Sequence, residues 1–461
     1  MTDEFLAALG AALPSDALVT DPGVLEQYSH DDAEWAPFGA PAALVHASSV
    51  DQVVVAVRIA AEHRVSVVPR GAGTGLSGGA NATTGCLLLS LQRMTRVIEV
   101  NAVERYAVVQ AGVLNDDLRR RVAEDGLWYP PDPASQAICT IGGNVATNAG
   151  GICCVKYGVT RDYVIGMTVV LADGSIARIG RTTAKGATGY DLTGLMVGSE
   201  GTLGVIVEVT VKLLPLTGRE ERGIIASFGS LTDAGRAVAA ITGAGIVPAA
   251  LELIDRTCMH AVSQWKGWDL PDSANAMLLV SVDDVGERGD ELAEAVQKHC
   301  EQAGGFDLGV SLGGAETERL FAARRLAYPA LERLGPVLTE DVCVPRSAVP
   351  EMLARIERAA QDNDVIIANI AHAGDGNLHP LIIVPDGDEA AKARAKVAFD
   401  SIVDDCRALG GTVTGEHGVG LLKLPGAAAE LSPTVLRMHH AIKSALDPHG
   451  IMNPGKAFPE L

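Results

Sequence analysis

A chain of 461 residues exceeds what one hydrophobic core usually supports, and 48% hydrophobic content is ample for burying two or three. A formal charge of −20 excludes the broad basic footprint that nucleic acid or an anionic lipid surface requires, so an anionic substrate needs a local basic pocket. Eight cysteines without CxxC spacing exclude an iron–sulfur cluster and read as reduced thiols of a cytoplasmic protein.

The start, "MTDEFLAALGAALP", has an acidic rather than basic lead, and no stretch reaches the roughly 18 apolar residues of a membrane span. After an N-terminal helix, "PAALVHA" is predicted as a strand. "SSVDQVVVAVRIAAEHRV" follows as a helix opened by a capping box from Ser49 to Gln52. The next strand, "SVVPRG", completes a βαβ unit and runs into "PRGAGTGLSGG" at 69–79. Five glycines there expose backbone N–H groups to a phosphate-bearing ligand, a pyrophosphate above all. Leu76 holds the place of the third glycine of a GxGxxG fingerprint, and a strand rather than a helix comes next, so a Rossmann nicotinamide site is not expected.

Strands are read at "GCLLLSL", "RVIEV" and "YAVVQAGV". Two long glycine-dense loops then come at 130–151 and 185–206. In the first, Gly142, Gly143, Ala146 and Gly150 let backbone amides approach a large flat cofactor, while Thr140, Asn144 and Thr147 offer side-chain hydrogen bonds. "LLPLTG" marks a boundary. Beyond it strand, helix, strand, strand and helix ("GIIASF", "LTDAGRAVAAITGAG", "AALELID", "AMLLVSV", "GDELAEAVQKHCEQAG") resemble a βαββαβ unit.

In "ANIAHAGDGNLHPLIIV" two histidines flank a glycine-rich turn. With Asp375 and Gly376 at the centre of a two-residue turn, His372 faces His379 and both rings can grip one ion. "GGTVTGEHGVGLLK" adds Glu416 and His417, one of which can complete the ligand set while the other serves a different role. Two imidazoles and a carboxylate with open positions suit a catalytic zinc ion, with manganese or iron as alternatives.

Taken in order, "PRGAGTGLSGG", "IGGNVATNAGG", "GSEGTLGVI", "HAGDGNLH" and "GEHGVG" resemble the FAD-dependent D-2-hydroxyacid dehydrogenases of the vanillyl-alcohol oxidase flavoprotein superfamily over nearly the whole chain. That family includes D-lactate dehydrogenases, the flavin subunit of glycolate oxidase and D-2-hydroxyglutarate dehydrogenases. The resemblance implies an α+β fold: a vanillyl-alcohol oxidase type FAD-binding domain at 1–215, a ferredoxin-like α/β substrate (cap) and metal domain at 216–425, and a C-terminal helical segment at 426–461 returning to the FAD domain. It implies FAD held by Pro69, Arg70, Gly71, Ala72, Gly73, Thr74, Gly75, Ser77 and Gly78 at the pyrophosphate. Pro131, Asp132, Ser135, Thr140, Gly142, Gly143, Asn144, Ala146, Thr147, Asn148 and Gly150 then line the cofactor. Glu200, Gly201, Gly204 and Ile206 close over its adenine side, and Asn453 joins them. Relatives with covalent flavin often carry a histidine in the first loop; none stands there, so non-covalent FAD is expected.

The resemblance also implies a divalent metal on His372, His379 and Glu416, with His417 beside the substrate as proton acceptor. Arg324, on a helix in "LFAARRLAYPAL", is favoured over Arg325 for gripping the substrate carboxylate, and Tyr328 lies one turn on. D-2-hydroxyglutarate dehydrogenases place a lysine at the position of Thr339 and an asparagine at that of Leu381, so a small D-2-hydroxy acid such as D-lactate or glycolate is the expected substrate. Two rivals stand beside this reading, a metal-dependent hydrolase and a flavin subunit passing electrons within a larger complex. The acceptor, a homodimer and a partner redox subunit are left open by the sequence.

Overall fold

The computed structural model describes residues 2–216, 220–267, 273–312, 314–385 and 387–461, so the last two residues of "LLPLTG" lie outside the described residues. The chain forms two compact units, one of residues 1–150, 159–216 and 416–461, the other of 151–158 and 217–415. The division near the C-terminal end therefore falls after Gly415 rather than after residue 425.

In the first unit the helix Val50–His63 starts where Ser49 accepts the Gln52 N–H. The reciprocal bond of the expected capping box is displaced by one residue, because Gln52 Oε1 takes the Ser48 N–H at 2.8 Å. Val53, Ala56, Val57 and Ala60 recur at helical spacing and are buried. A four-stranded sheet runs in the order Leu18–Val19, Ala43–His46, Leu87–Ser90, Val67–Arg70. Its last three strands are parallel. Leu87–Ser90 is buried throughout, as an apolar run in a covered parallel sheet should be. Met452 pairs with Val67, which accounts for the return of the C-terminal residues to this unit. A five-stranded antiparallel sheet of Val97–Asn101, Tyr106–Gln110, Val205–Lys212, Val164–Val170 and Ile176–Gly180 supplies the second core.

Part of what reads as loop is helix. Thr140 accepts the Gly143 N–H and opens the helix Ile141–Thr147, which Asn148 ends in the left-handed conformation; Leu192–Met196 is a second short helix. Paired glycines hide such a helix from propensity, and the cap and burial of Ile141 and Val145 form it.

The second unit is built on an eight-stranded sheet. Phe306–Leu312, Arg222–Phe228, Ala276–Val282 and Ala250–Asp255 stand side by side, the fourth-first-third-second order of a ferredoxin-like βαββαβ unit. Between the two strands read as consecutive lies another helix, Arg256–Lys266, started by the Asp255 carboxylate accepting the Cys258 N–H at 3.0 Å. The sheet continues through Ile366–His372, Asn377–Ile383 and Val337–Thr339, and the short strand Val342–Cys343 also pairs with Asn377–Ile383. Among the described residues no helix is long and apolar enough to cross a membrane. Among the described residues the eight cysteines form no disulfide.

Candidate active site

The two-histidine hairpin differs from the expected one in register. His372 pairs with Asn377, and His379 pairs with Ile370. The connection is therefore the four residues 373–376, not a two-residue turn. Gly376 has φ +88°, and a Cβ there would collide with the Val344 carbonyl, so the wider loop is packed against the neighbouring chain. The slip is by two residues, an even number, so both imidazoles stay on one face of the sheet. They meet diagonally, with ring centroids 5.2 Å apart and planes at 88°.

On the same face stands a carboxylate that the sequence reading passed over. Leu253 pairs with Ala371, which brings Glu252 beside His372. Glu252 is 0% exposed; its Oε1 lies 2.8 Å from His372 Nδ1 and its Oε2 accepts from Arg324 Nε at 2.7 Å. Burial pushes the Glu252 carboxyl up, yet its pairing with His372 and Arg324 outweighs that and holds the group below its ordinary value. A carboxylate accepts only, so His372 presents Nδ1–H to it and keeps the Nε2 lone pair for a cation. That is the orientation a metal-binding histidine needs, and the donor set fits a divalent metal. Across the sheet His379 Nδ1 lies 3.6 Å from Asp341 Oδ1, and Asp341 Oδ2 accepts from Thr414 Oγ1 at 2.7 Å and the Gly415 N–H at 3.0 Å.

Arg324 is 7% exposed. With Nε committed to Glu252, its two terminal NH2 groups are the edge a substrate carboxylate would meet. Tyr328 on the same helix sets its hydroxyl 3.4 Å from Thr339 Oγ1, and Thr339 pairs directly with Leu381. The second unit thus collects His372, His379, Arg324, Tyr328, Thr339 and Leu381.

The first unit collects the glycine segments. A Cβ on Gly71 would strike Thr140 Oγ1, one on Gly73 the Arg70 guanidinium, and one on Gly201 would lie 3.1 Å from Pro69 Cγ. Loop 69–79, the helix Ile141–Thr147 and loop 199–206 therefore converge. Arg70 Nη1 and Asn144 Nδ2 are buried without a hydrogen-bond partner among the described residues. Two orphaned donors beside closely packed glycines fit a phosphate-bearing dinucleotide such as FAD.

Several residues expected at the cofactor also brace this cradle. The Glu200 carboxylate accepts the Val419 and Gly420 N–H groups at 2.8 Å, and burial raises its pKa against those bonds. Asn453 donates to Gly79 O at 2.9 Å and Glu200 O at 2.6 Å, Thr147 to Gly143 O at 3.3 Å, and Ser77 to Gly418 O at 2.9 Å. Lys456, 2% exposed, donates to Gly79 O, Asn81 O and Asn453 Oδ1. Burial lowers its pKa to about 8, although Cys86, Asp31 and Glu200 pull it up. Glu416 and His417 belong to this unit, with Glu416 Oε1 3.7 Å from His417 Nε2. A Cβ on Gly150 would strike the Glu416 carboxylate, so that glycine makes room for it.

Residues 41–180 match the family described as FAD binding domain, and residues 218–457 the family described as FAD linked oxidases, C-terminal domain. The chain is 41% identical over 419 residues to the glycolate oxidase subunit GlcD of Bacillus subtilis, covering 91% of this chain and 89% of that one. It is 34% identical over 467 residues to a D-lactate dehydrogenase of Anaerostipes hadrus, covering 99% and 97%. Among solved structures, 4-ethylphenol oxidase from Gulosibacter chungangensis is similar with a TM-score of 0.80 at 20% identity, over 99% of this chain and 97% of that one, a likeness of fold.

Proposed function

The chain belongs to the FAD-linked oxidases and is an FAD-dependent oxidoreductase of the vanillyl-alcohol oxidase type, and from that premise we propose that it oxidises a small D-2-hydroxy acid, D-lactate or glycolate, to the 2-keto acid. The observation that carries the reading is the buried set of Glu252, His372 and His379 on one sheet face with Arg324 reaching Glu252 from its helix, so that a guanidinium and two imidazoles share one neighbourhood.

FAD, when bound without a covalent link, supplies a two-electron sink for the hydride leaving the α-carbon. His372, His379 and Glu416 would hold a divalent metal, zinc before manganese or iron, which would supply Lewis acidity at the substrate hydroxyl. Arg324 receives the carboxylate on its NH2 edge and fixes the position of the α-carbon. His417 takes the hydroxyl proton, a transfer that suits an imidazole near neutral pH. Tyr328 and Thr339 flank the substrate, and Leu381 gives an apolar floor. A second substrate carboxylate brought there would lose hydration without a charged partner, which favours a short monocarboxylate over D-2-hydroxyglutarate. The glycine cradle argues against a metal-dependent hydrolase, and the paired histidines argue against an inert flavin subunit. Cysteines outside any disulfide agree with a cytoplasmic setting.

The purified protein should show flavin absorption that D-lactate or glycolate bleaches and L-lactate does not, and acid precipitation should release all the flavin. A colourless protein that hydrolyses esters defeats the reading; flavin that no hydroxy acid reduces favours the electron-passing subunit; colour retained in the acid pellet defeats the non-covalent link.

A further inference from the structure

Glu252 sits in a strand, Ala250–Asp255, whose six residues are all buried, and it is the sole acid among the first five. An apolar residue would pack there without the penalty of burying a charge, so stability alone gives no reason for a carboxylate. Its two oxygens are divided between two functional side chains: Oε1 faces His372 Nδ1 at 2.8 Å and Oε2 faces Arg324 Nε at 2.7 Å. We propose that Glu252 is a positioning residue that fixes His372 in its Nδ1–H tautomer and Arg324 in its binding orientation, coupling metal ligation to the grip on the substrate carboxylate. The inference rests on the functional reading above and adds to it a residue that touches neither metal nor substrate.

The chemistry of an isosteric replacement shows why a carboxylate is required. Glutamine has the same length but one acceptor and one donor. Turn its NH2 toward Arg324 and a donor meets a donor, which frees the guanidinium to swing. Turn its NH2 toward His372 and Nδ1 must accept, which moves the ring proton to Nε2, the atom the metal needs. Glu252→Gln, sampling both orientations, therefore weakens both functions while leaving side-chain volume unchanged. Glu252→Asp keeps two acceptors but is too short to reach both partners.

The test uses the flavin-loaded holoprotein, stripped of metal with a chelator and titrated with zinc alone. We expect Glu252→Gln to weaken zinc binding by about 10–100-fold, the usual effect of removing the partner of a metal-binding histidine. Flavin content should stay at the wild-type level. The KM for D-lactate should rise in Glu252→Gln, whereas Arg324→Met should raise KM and leave zinc affinity within a few fold. Wild-type zinc binding that Glu252→Gln matches, with an unaltered KM, overturns this inference and leaves the metal reading standing. A wild type that takes up no divalent metal overturns both. Because the glutamine variant could fold poorly, the wild type alone gives a second decision. In protein labelled with 15N-histidine, with the His372 signal assigned by its loss in His372→Gln, an Nδ1–H tautomer is expected and an Nε2–H tautomer refutes the proposal.

Discussion

The two units use buried polar side chains in opposite ways. In the first, Glu200, Asn453, Ser77 and Lys456 are turned toward backbone groups of their own unit, and the surface proposed for the cofactor is mostly glycine-lined main chain, with the Arg70 and Asn144 donors beside it. In the second, a buried carboxylate serves other side chains, and those side chains carry the proposed chemistry. Backbone recognition suits a cofactor that stays bound; side-chain recognition suits a ligand that must bind, react and leave. Damage to the buried side chains His372, His379 and Arg324 should therefore spare flavin binding, and damage to the glycine-lined main chain should spare the metal.

The largest effect should follow from His379→Ala. Loss of a metal worth several kcal/mol at the transition state should lower kcat by about a thousandfold or more, with metal content falling and flavin content unchanged. Elemental analysis beside the visible spectrum checks this, and normal turnover with full metal would break the comparison at its stronger side.

Lys456 tests the bracing of the first unit through pH. Folded, it titrates at about 8 against 10.5 as the ordinary value, so between these the unfolded chain binds the extra proton. The folded state therefore carries a penalty of about 3 kcal/mol below pH 8, relieved as pH rises toward 10.5. Lys456→Met removes that dependence but strands the acceptors on Gly79, Asn81 and Asn453, a loss of about 1–3 kcal/mol for each group left unsatisfied. Urea midpoints across pH 7 to 10 should show wild type gaining on the variant as pH rises; a constant gap refutes the assignment.

Gly73→Ala is the counterpart of His379→Ala. Gly73 has φ +82° and its Cβ would press on the Arg70 guanidinium, so a strain of about 1–3 kcal/mol should appear as weaker FAD binding with the metal retained. Fluorescence titration of the flavin-free protein measures it. Equal loss of metal and flavin would merge the two functions.

The smallest effect concerns selectivity. Thr339→Lys with Leu381→Asn should shift the ratio of catalytic efficiencies toward D-2-hydroxyglutarate by about tenfold, since a charged partner then meets the second carboxylate. Steady-state kinetics with an artificial acceptor decide it, and an unchanged ratio would remove this sheet face from substrate choice.

What the sequence disclosed divides along the same line. Main-chain recognition needs glycine at the close approaches, and Gly71, Gly73, Gly142 and Gly201 therefore stand out as letters. Glu252 does not, because an acid between two leucines in "AALELID" reads like the solvent-side residue of an alternating strand, whereas partners distant in sequence, His372 and Arg324, enclose it. The hairpin register was ambiguous because "HAGDGN" allows a two-residue or a four-residue connection, and the contact of Gly376 with Val344, distant in sequence, decides between them. The helix Arg256–Lys266 was hidden by the absence of a break after "LELID"; its signal was the Asp255 cap three residues ahead of Cys258.

The pairing of Val67 with Met452 joins segments far apart in the order of synthesis. Val67 donates its N–H to Ile451 O at 2.7 Å and accepts from the Asn453 N–H at 2.8 Å, so residues made early wait at one edge of their sheet for residues made hundreds of codons later. Until then the Val67–Arg70 strand is an open edge, able to pair with another nascent chain, and the Gly79 and Asn81 carbonyls lack the ammonium that later reaches them. A fragment limited to the first 216 residues should therefore aggregate, and a separate peptide carrying residues 416–461 should suppress that aggregation.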